Sequence, residues 1–170
     1  MRKTVMSLVC AFLVVSVSFS IAAEQKAAEE KKAEVQYGVK VGDMSQPVEV
    51  KTIDGNGTVS TGALKKPTVL LLVSSVCTSC TAELQEVSQF IDKFTDRDVY
   101  AVVIDMDPGR AAGSMSRWNI PLLSDADWKV GQAVGLASAP SVVVLGIDGK
   151  ILYKKYGYQK GQWKEYVAAK

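Results

Sequence analysis

Residues 70–84, LLLVSSVCTSCTAEL, are the stretch that decides the fold. The apolar run Thr68–Val73 overlaps the start of this stretch and has the composition of a strand buried on both faces. Apolar residues at helical spacing follow the second cysteine: Leu84, Val87, Phe90, Ile91 and Phe94. Cys77 therefore lies where a buried strand ends and an amphipathic helix begins. Because the unpaired N–H groups at a helix N-terminus stabilise an anion, this position favours the thiolate form of Cys77.

The C-x-x-C pair, Cys77 and Cys80, can be a redox pair, a static bridge or half of a zinc site. A bridge across two intervening residues closes almost no loop and adds little stability. A zinc site needs two further Cys or His ligands, whereas the chain has three cysteines in all and no histidine. The third, Cys10, lies in an apolar N-terminal segment and is expected to have no role in the mature protein. We interpret the pair as redox-active and expect no metal site.

Composition indicates one ordinary globular domain. The chain has 170 residues, 48% of them hydrophobic and 22% charged, with a formal net charge of +2. This balance is unlike that of a disordered chain, and the positive surplus is too small to predict a phosphate-binding surface. We therefore expect no nucleic-acid partner.

The N-terminus has the layout of a secretory signal. Arg2 and Lys3 precede the uncharged, mostly apolar segment 4–23, which ends in small residues and predicts cleavage after Ala22 or Ala23. The alternative is an uncleaved membrane anchor, since about 20 apolar residues can span a bilayer. Both interpretations predict an exported protein, in the periplasm or on the outer face of the cytoplasmic membrane.

Three segments follow from this pattern. Residues 1–23 are a signal peptide or N-terminal membrane anchor, and residues 24–36 are a charged, low-complexity linker without large apolar residues. Residues 37–170 form the domain. Its expected strands are Val48–Ile53, Thr58–Ser60, Thr68–Ser74, Val99–Ile104, Ser141–Leu145 and Lys150–Lys154, with a brief extended segment at Ile120–Leu123. Its expected helices run from the cysteines to Phe94 or Thr95, and over Arg110–Trp118, Lys129–Val134 and Gln162–Ala169.

This order predicts an α/β fold with a mixed central sheet. Strand, helix and strand between residues 68 and 104 predict a parallel crossover. Turn signals at Asp54–Gly57 and Asp148-Gly149 predict an N-terminal β-hairpin and a closing hairpin. Helices are expected on both faces of the sheet.

The same elements resemble a known family. An apolar strand, C-x-x-C-x-x-E at Cys77–Glu83, a G-hydrophobic-x-x-x-P stretch at Gly135–Pro140 and a D-G-K turn at Asp148–Lys150 are similar to the exported thiol–disulfide oxidoreductases of the ResA/TlpA type. These belong to the redoxin and AhpC/TSA-like part of the thioredoxin superfamily. The resemblance covers roughly residues 40–168 and implies a thioredoxin-like fold.

The resemblance implies a role for each residue of the site. Cys77 is expected to attack a partner disulfide, and Cys80 to resolve the mixed disulfide, so that a Cys77–Cys80 disulfide and a dithiol interconvert. Glu83 is expected to accept the Cys80 proton, the alternative being a solvated glutamate near the helix start. The peptide bond between Ala139 and Pro140 is expected to be cis, and these two residues are expected to bind substrate. The alternative is an ordinary proline at the start of a strand.

Three departures from the family pattern bear on the direction of electron flow. Val76 replaces the usual tryptophan before the first cysteine. Thr78-Ser79 replaces a proline-containing dipeptide, and Ala139 replaces a threonine or valine. Because the residues between the cysteines tune thiolate stability and reduction potential, the direction stays open.

The expected function is the reduction of disulfides in envelope proteins, such as apocytochrome c. The expected partners are protein disulfide or dithiol substrates and a thiol electron donor, which can be membrane-bound. We expect a monomer without a cofactor, which contacts the membrane only through an uncleaved N-terminal segment. One alternative is a thiol peroxidase, with Ser74 at the hydroxyl position but Leu70 where a proline is usual. The other is a copper-binding module, which usually needs a histidine.

Two further groups have a structural and a functional interpretation. Trp118, Trp128 and Trp163 are expected to pack, the alternative being ligand stacking. Asp105 and Asp107 follow a strand at the edge where the cysteines are expected. They are expected to cap the next helix, although they could also acidify the rim of the site.

Overall fold

The structure is a computed structural model that describes residues 38–170. The predicted signal peptide or anchor and the predicted charged linker lie outside these residues. Among the residues described, no helix has both the length and the apolar character that crossing a bilayer requires.

Residues 38–170 contain seven strands and four α-helices. The strands are β1 (Glu49–Thr52), β2 (Thr58–Ser60), β3 (Thr68–Val73), β4 (Asp98–Val103), β5 (Leu122–Ser124), β6 (Ser141–Leu145) and β7 (Ile151–Tyr156). The α-helices are α1 (Thr78–Gln89), α2 (Pro108–Met115), α3 (Lys129–Val134) and α4 (Trp163–Ala168), with 3-10 turns at Ile91–Lys93 and Ser116–Trp118.

The strands form one mixed sheet in the order β2-β1-β5-β4-β3-β6-β7. β3 is parallel to β4, and β4 is parallel to β5. β6 is antiparallel to both β3 and β7, and β1 is antiparallel to β2 and β5. The predicted mixed sheet, parallel crossover and closing hairpin are therefore confirmed.

Alternate residues of the central strands pack on opposite faces of the sheet, as the pleat of a strand requires. Leu71 and Val73 of β3 belong to a core cluster that includes residues of α1, α2 and α4. Leu70 and Leu72 belong to a second cluster that includes Val130 of α3. Helices thus cover both faces, and β3 is buried along its whole length.

All three tryptophans pack, as predicted. Trp118 and Trp163 lie against the first cluster, and Trp128 lies against the second. The Trp163 ring stacks on Phe90 with centroids 4.4 Å apart, and Trp128 Nε1 donates a hydrogen bond to the Leu136 carbonyl at 3.0 Å.

The helix after the cysteines is shorter than predicted. α1 ends at Gln89, not at Phe94 or Thr95, because Phe90 leaves the helical region with φ −114° and ψ 20°. The chain continues through the 3-10 turn Ile91–Lys93, after which Phe94 is buried again. A 3-10 helix has three residues per turn, which is close to the spacing of an α-helix. The apolar pattern in the sequence therefore continues past the point where α1 ends.

The helix predicted over Arg110–Trp118 begins earlier, at Pro108, and changes to a 3-10 turn at Ser116. Asp107 is its N-cap and accepts a hydrogen bond from the Arg110 backbone N–H at 3.0 Å. Pro108 takes the first helical position, where a missing N–H costs nothing. The remaining elements start and end within two residues of their predicted bounds.

Candidate active site

Cys77 and Cys80 lie at the N-terminus of α1 and form a disulfide with Cα atoms 5.2 Å apart. Cys77 is the N-cap of the helix, with extended backbone angles of φ −99° and ψ 110°. Its Sγ accepts a hydrogen bond from the Cys80 backbone N–H at 3.1 Å. The first sulfur thus occupies the position where N–H groups and the helix dipole stabilise a thiolate once the bridge is reduced.

The two sulfurs differ in their access to solvent. Cys77 is partly exposed, and the Ser79 hydroxyl lies 3.5 Å from its Sγ. Cys80 is 0% exposed and belongs to the core cluster that α1 covers. A partner protein can therefore reach Cys77, whereas burial keeps Cys80 from direct contact with a partner.

Glu83 is buried in the core, one turn after Cys80 on the same helix. Only 1% of it is exposed, so the alternative of a solvated glutamate is wrong. The Tyr166 hydroxyl of α4 donates a hydrogen bond to Oε1 at 2.6 Å. The other oxygen, Oε2, is buried and has no hydrogen-bond partner among the described residues. Residues three apart on a helix are neighbours, so this carboxyl group and the Cys80 side chain share one face.

Burial raises the pKa of Glu83 to about 7, from an ordinary value of 4.5. The hydrogen bond from Tyr166 opposes this increase, and the negative charge of Glu86 adds to it. A carboxyl group with a pKa near 7 exists in both forms at neutral pH, so it can accept and release a proton. Burial and the charge of Glu83 also raise the pKa of Tyr166, which remains a neutral hydrogen-bond donor.

Asp105 holds the segment that leads from β3 to Cys77. Its Oδ2 accepts a hydrogen bond from the Ser75 backbone N–H at 2.9 Å, and its Oδ1 accepts from the Ser75 and Ser74 hydroxyls at 2.8 and 3.2 Å. The expectation that Asp105 caps the next helix is therefore wrong, whereas Asp107 does cap it. Since β3 and β4 are parallel neighbours, the residues after each strand meet at one sheet edge.

Ala139 and Pro140 come to the same edge from far along the chain. The Ala139–Pro140 peptide bond is cis, as the resemblance implies. β6 begins at the next residue, and its first position pairs with Leu72 near the end of β3. Ala139 and Cys77 both pack against the first core cluster, and the Pro140 carbonyl accepts a hydrogen bond from the Gly157 N–H at 2.9 Å.

Two apolar side chains lie exposed beside the first cysteine. Val76 is 89% exposed and Met106, on the loop after β4, is 87% exposed. A groove of about 450 Å³ lies between these loops and is lined in part by Ser75, Val76, Met106 and Arg110. Both exposed residues are therefore available to an approaching polypeptide.

Sequence reasoning missed three residues around the site: Tyr166, Asp105 as a loop anchor, and Arg97. Arg97 is buried, and its guanidinium donates hydrogen bonds to the backbone carbonyls of Tyr166 and Ala169 in and after α4. A signal did exist for Tyr166, because a tyrosine on the apolar face of a helix needs a partner for its hydroxyl. Nothing in the sequence identified Glu83 as that partner.

The residues described contain no cluster of three or more His, Cys, Asp or Glu side chains that could hold a metal ion. The site consists of the two cysteines, a buried carboxyl group and its tyrosine. The chemistry that such a set can perform is thiol–disulfide exchange.

Comparisons with known proteins agree with this chemistry. The sequence profile of the redoxin family matches residues 38–169. No curated protein matches the sequence significantly.

Solved structures of three other proteins share the fold. A Chlorobium tepidum protein assigned as the thiol:disulfide interchange protein DsbE has a TM-score of 0.65 and 18% identity, over 78% of this chain and 98% of that one. StoA from Bacillus subtilis has a TM-score of 0.60 and 20% identity, over 72% and 97%. A secreted Mycobacterium tuberculosis disulfide oxidoreductase, homologous to E. coli DsbE, has a TM-score of 0.61 and 21% identity, over 72% and 96%. At these identities the likeness shows the fold.

Proposed function

We propose that this member of the redoxin family, a thioredoxin-like thiol–disulfide oxidoreductase, reduces disulfides of exported proteins through Cys77 and Cys80. One observation carries the proposal: an accessible cysteine caps a helix, and a buried cysteine and a buried carboxyl group follow it on one helix face. Each group has the exposure that its proposed role requires.

The reaction begins when the Cys77 thiolate attacks one sulfur of a substrate disulfide. A mixed disulfide forms between Cys77 and that sulfur, and the other substrate cysteine leaves as a thiolate that takes up a proton. The accessible position of Cys77 supports its role as the attacking group.

Cys80 then resolves the mixed disulfide. Its thiol gives a proton to the Glu83 carboxylate and attacks Cys77 Sγ, which releases the second substrate cysteine as a thiolate. The substrate has gained two electrons and is a dithiol, and the protein carries the Cys77–Cys80 disulfide. Burial of Cys80 supports this role, because a buried thiol needs a nearby base to form the nucleophilic thiolate.

Return to the dithiol requires an external thiol electron donor, which we propose to be bound to the membrane. The proposed substrates are envelope proteins with accessible disulfides, apocytochrome c among them. Val76 and Met106 offer an apolar surface beside Cys77, and we assign Ala139 and Pro140 to substrate binding at the same sheet edge. The enzyme is proposed to work as a monomer.

Activity is tested by the reduction of a protein disulfide, such as that of insulin, with dithiothreitol as donor. We expect Cys77→Ser to lower turnover by roughly a hundredfold or more, as loss of a nucleophile does in other enzymes. Cys10→Ser in the full chain is the matched thiol control and should turn over like the unmodified protein. Full turnover by Cys77→Ser would refute the proposal.

The direction of electron flow is tested by a redox titration against glutathione. A reductant should have a more negative reduction potential than glutathione, so that excess reduced glutathione leaves most of the pair oxidised. A pair that stays reduced even in mostly oxidised glutathione would instead be a disulfide donor.

We also propose that the protein is exported, on the layout of residues 1–23. Fusion of residues 1–36 to alkaline phosphatase, which needs disulfides formed outside the cytoplasm, should give activity in a bacterial host. A fusion that begins at residue 24 is the control, and equal activity of the two would contradict export through this segment.

The thiol peroxidase alternative has little support in the site. The Ser74 hydroxyl, which would have to bind peroxide, is 3.2 Å from Asp105 Oδ1 and hydrogen-bonded to it. Peroxide consumption no faster than that of a free thiol would exclude this alternative.

A further inference from the structure

We propose that Tyr166 is a positioning residue for the resolving step: its hydroxyl fixes Glu83 so that Oε2 is the oxygen that receives the Cys80 proton. The inference rests on the proposed function and extends it to the C-terminal helix. It assigns a role in the reaction to a side chain 83 residues along the chain from Glu83.

The contact between the two side chains is specific. The Tyr166 hydroxyl donates to Oε1 at 2.6 Å, and both residues are 1% exposed. Oε2 is equally buried and has no partner among the described residues. A buried polar atom almost always has a partner, and a catalytic role is one of the reasons for an exception. Oε2 is the carboxyl oxygen that Tyr166 leaves available to accept a proton.

Tyr166 is held from two sides. Arg97, which is 4% exposed, donates through Nη1 to the Tyr166 and Ala169 carbonyls, and its Nε and Nη2 bind Asp96. The Tyr166 ring makes a tilted contact with Tyr153, with centroids 5.8 Å apart. The hydroxyl therefore has little freedom to turn away from Glu83.

The other ionisable groups around Glu83 have their own partners. Glu86 on the same helix accepts hydrogen bonds from the Tyr158 hydroxyl and the Gly161 N–H. Tyr153 of β7 donates to Glu165 of α4 and accepts from Gln162. Tyr166 is the donor that reaches Glu83, and Cys80 is the acid one turn away on α1.

Removing the Tyr166 hydroxyl should change the pKa of Glu83 in a predictable direction. A hydrogen bond to the ionised carboxylate favours that form, so its loss must raise the pKa of Glu83 further. We expect Tyr166→Phe to move the Glu83 titration upward by about one pH unit, as a lost charge-assisted hydrogen bond implies. The rate of mixed-disulfide resolution should shift to higher pH by the same amount.

Tyr153→Phe is the matched control, since it removes a hydroxyl from the same cluster but leaves the bond to Glu83 intact. Where Tyr166→Phe does not fold, 3-fluorotyrosine at position 166 keeps the ring and strengthens the donor. That substitution should shift the Glu83 titration downward.

The experiment uses the full chain labelled with 13C at glutamate carboxyl groups. NMR titration of the oxidised form follows Glu83 while the cysteines do not titrate, and the Glu83 signal is assigned with Glu83→Gln. Stopped-flow measurement of resolution across pH gives the second readout. An upward shift in both for Tyr166→Phe, with Tyr153→Phe unchanged, is the expected result.

Equal Glu83 titrations in Tyr166→Phe and the unmodified protein would overturn the inference. The NMR readout does not depend on activity, so it is separate from the proposed function. Full turnover by Cys77→Ser would refute that function whatever the titration shows.

Discussion

At the scale of single residues, Glu83 combines a proposed role in proton transfer with a cost in stability when it ionises. Its carboxyl group is buried, one of its oxygens has no hydrogen-bond partner within residues 38–170, and burial raises its pKa to about 7. A group with a raised pKa binds its proton more tightly in the folded chain than in the unfolded one. Between the ordinary pKa of 4.5 and about 7, the folded state therefore binds more protons.

This difference predicts that stability falls as pH rises through that window. From pH 5 to pH 8 the Glu83 contribution to the free energy of unfolding should fall by about 2.5 kcal/mol, because most of the pKa shift is expressed in this window and each unit contributes about 1.36 kcal/mol. Glu83→Gln cannot ionise and should lose this part of the pH dependence. Denaturant unfolding of the oxidised protein at both pH values measures it.

The exposed Glu49→Gln on β1 is the control and should keep the pH dependence of the unmodified protein. An unchanged pH dependence in Glu83→Gln would mean that Glu83 ionises normally in the fold.

Residue patterns identified the cysteines, and the resemblance to a known family added Glu83, but neither predicted the residues that surround them. The C-x-x-C-x-x-E spacing selects three residues on one helix, because local spacing is visible in a sequence. The bond from Tyr166 spans 83 positions, and such a contact depends on how α4 packs against α1.

At the scale of elements, the loop from β3 to α1 depends on one carboxylate of the neighbouring strand's loop. Asp105 accepts three hydrogen bonds from Ser74 and Ser75, whereas Asp107 two residues later caps α2. The two aspartates therefore suit a comparison of variants, because Asp105 holds the loop between β3 and α1 whereas Asp107 caps a helix.

Asp105→Ala should lower the free energy of unfolding by about 2 kcal/mol, since it leaves partly buried donors without a partner. Asp105→Ala should also slow disulfide exchange, because it removes the hydrogen bonds that hold the loop immediately before Cys77. Asp107→Ala should cost about 1 kcal/mol as a lost N-cap and leave exchange unchanged. Chemical denaturation and insulin reduction measure both effects, and equal rates in the two variants would contradict this role of Asp105.

The short helix α4 depends on Arg97, whose guanidinium binds the carbonyls of Tyr166 and Ala169. Arg97→Met keeps an apolar stem but removes these bonds. We expect a loss of about 2–3 kcal/mol in the free energy of unfolding and faster amide exchange in Trp163–Ala168. Arg117→Met, which removes an exposed guanidinium over Trp118, is the control; protection of α4 equal to the control's would contradict the anchoring role.

The elements themselves were largely predictable. β3, β4 and β6 stand out in the sequence because continuous apolar runs of strand length mark strands buried on both faces. The end of α1 was wrong because Phe90 turns out of the helix while Ile91–Lys93 continue in a 3-10 turn. Hydrophobic spacing alone does not distinguish these two helix types over a few residues.

At the scale of the whole molecule, the sheet brings together groups that are distant in sequence. The order β4-β3-β6 puts the loops after β3 and β4, and the loop before β6, at one edge. That topology places Cys77, Asp105 and Pro140 at the same edge of the sheet. Strand order in turn follows from rules of crossover and pairing, which the sequence only constrains. The resemblance to a known family therefore contributed what spacing could not.

The central claim is that Cys77 attacks and Cys80 resolves. Reduced Cys80→Ser is mixed with a peptide carrying one disulfide, and mass spectrometry follows covalent adducts. Cys77→Ser is treated in the same way. A long-lived mixed disulfide on Cys77 in Cys80→Ser, with little adduct in Cys77→Ser, is the predicted result. An adduct that forms equally fast on Cys80 in Cys77→Ser, or none in Cys80→Ser, would contradict the account.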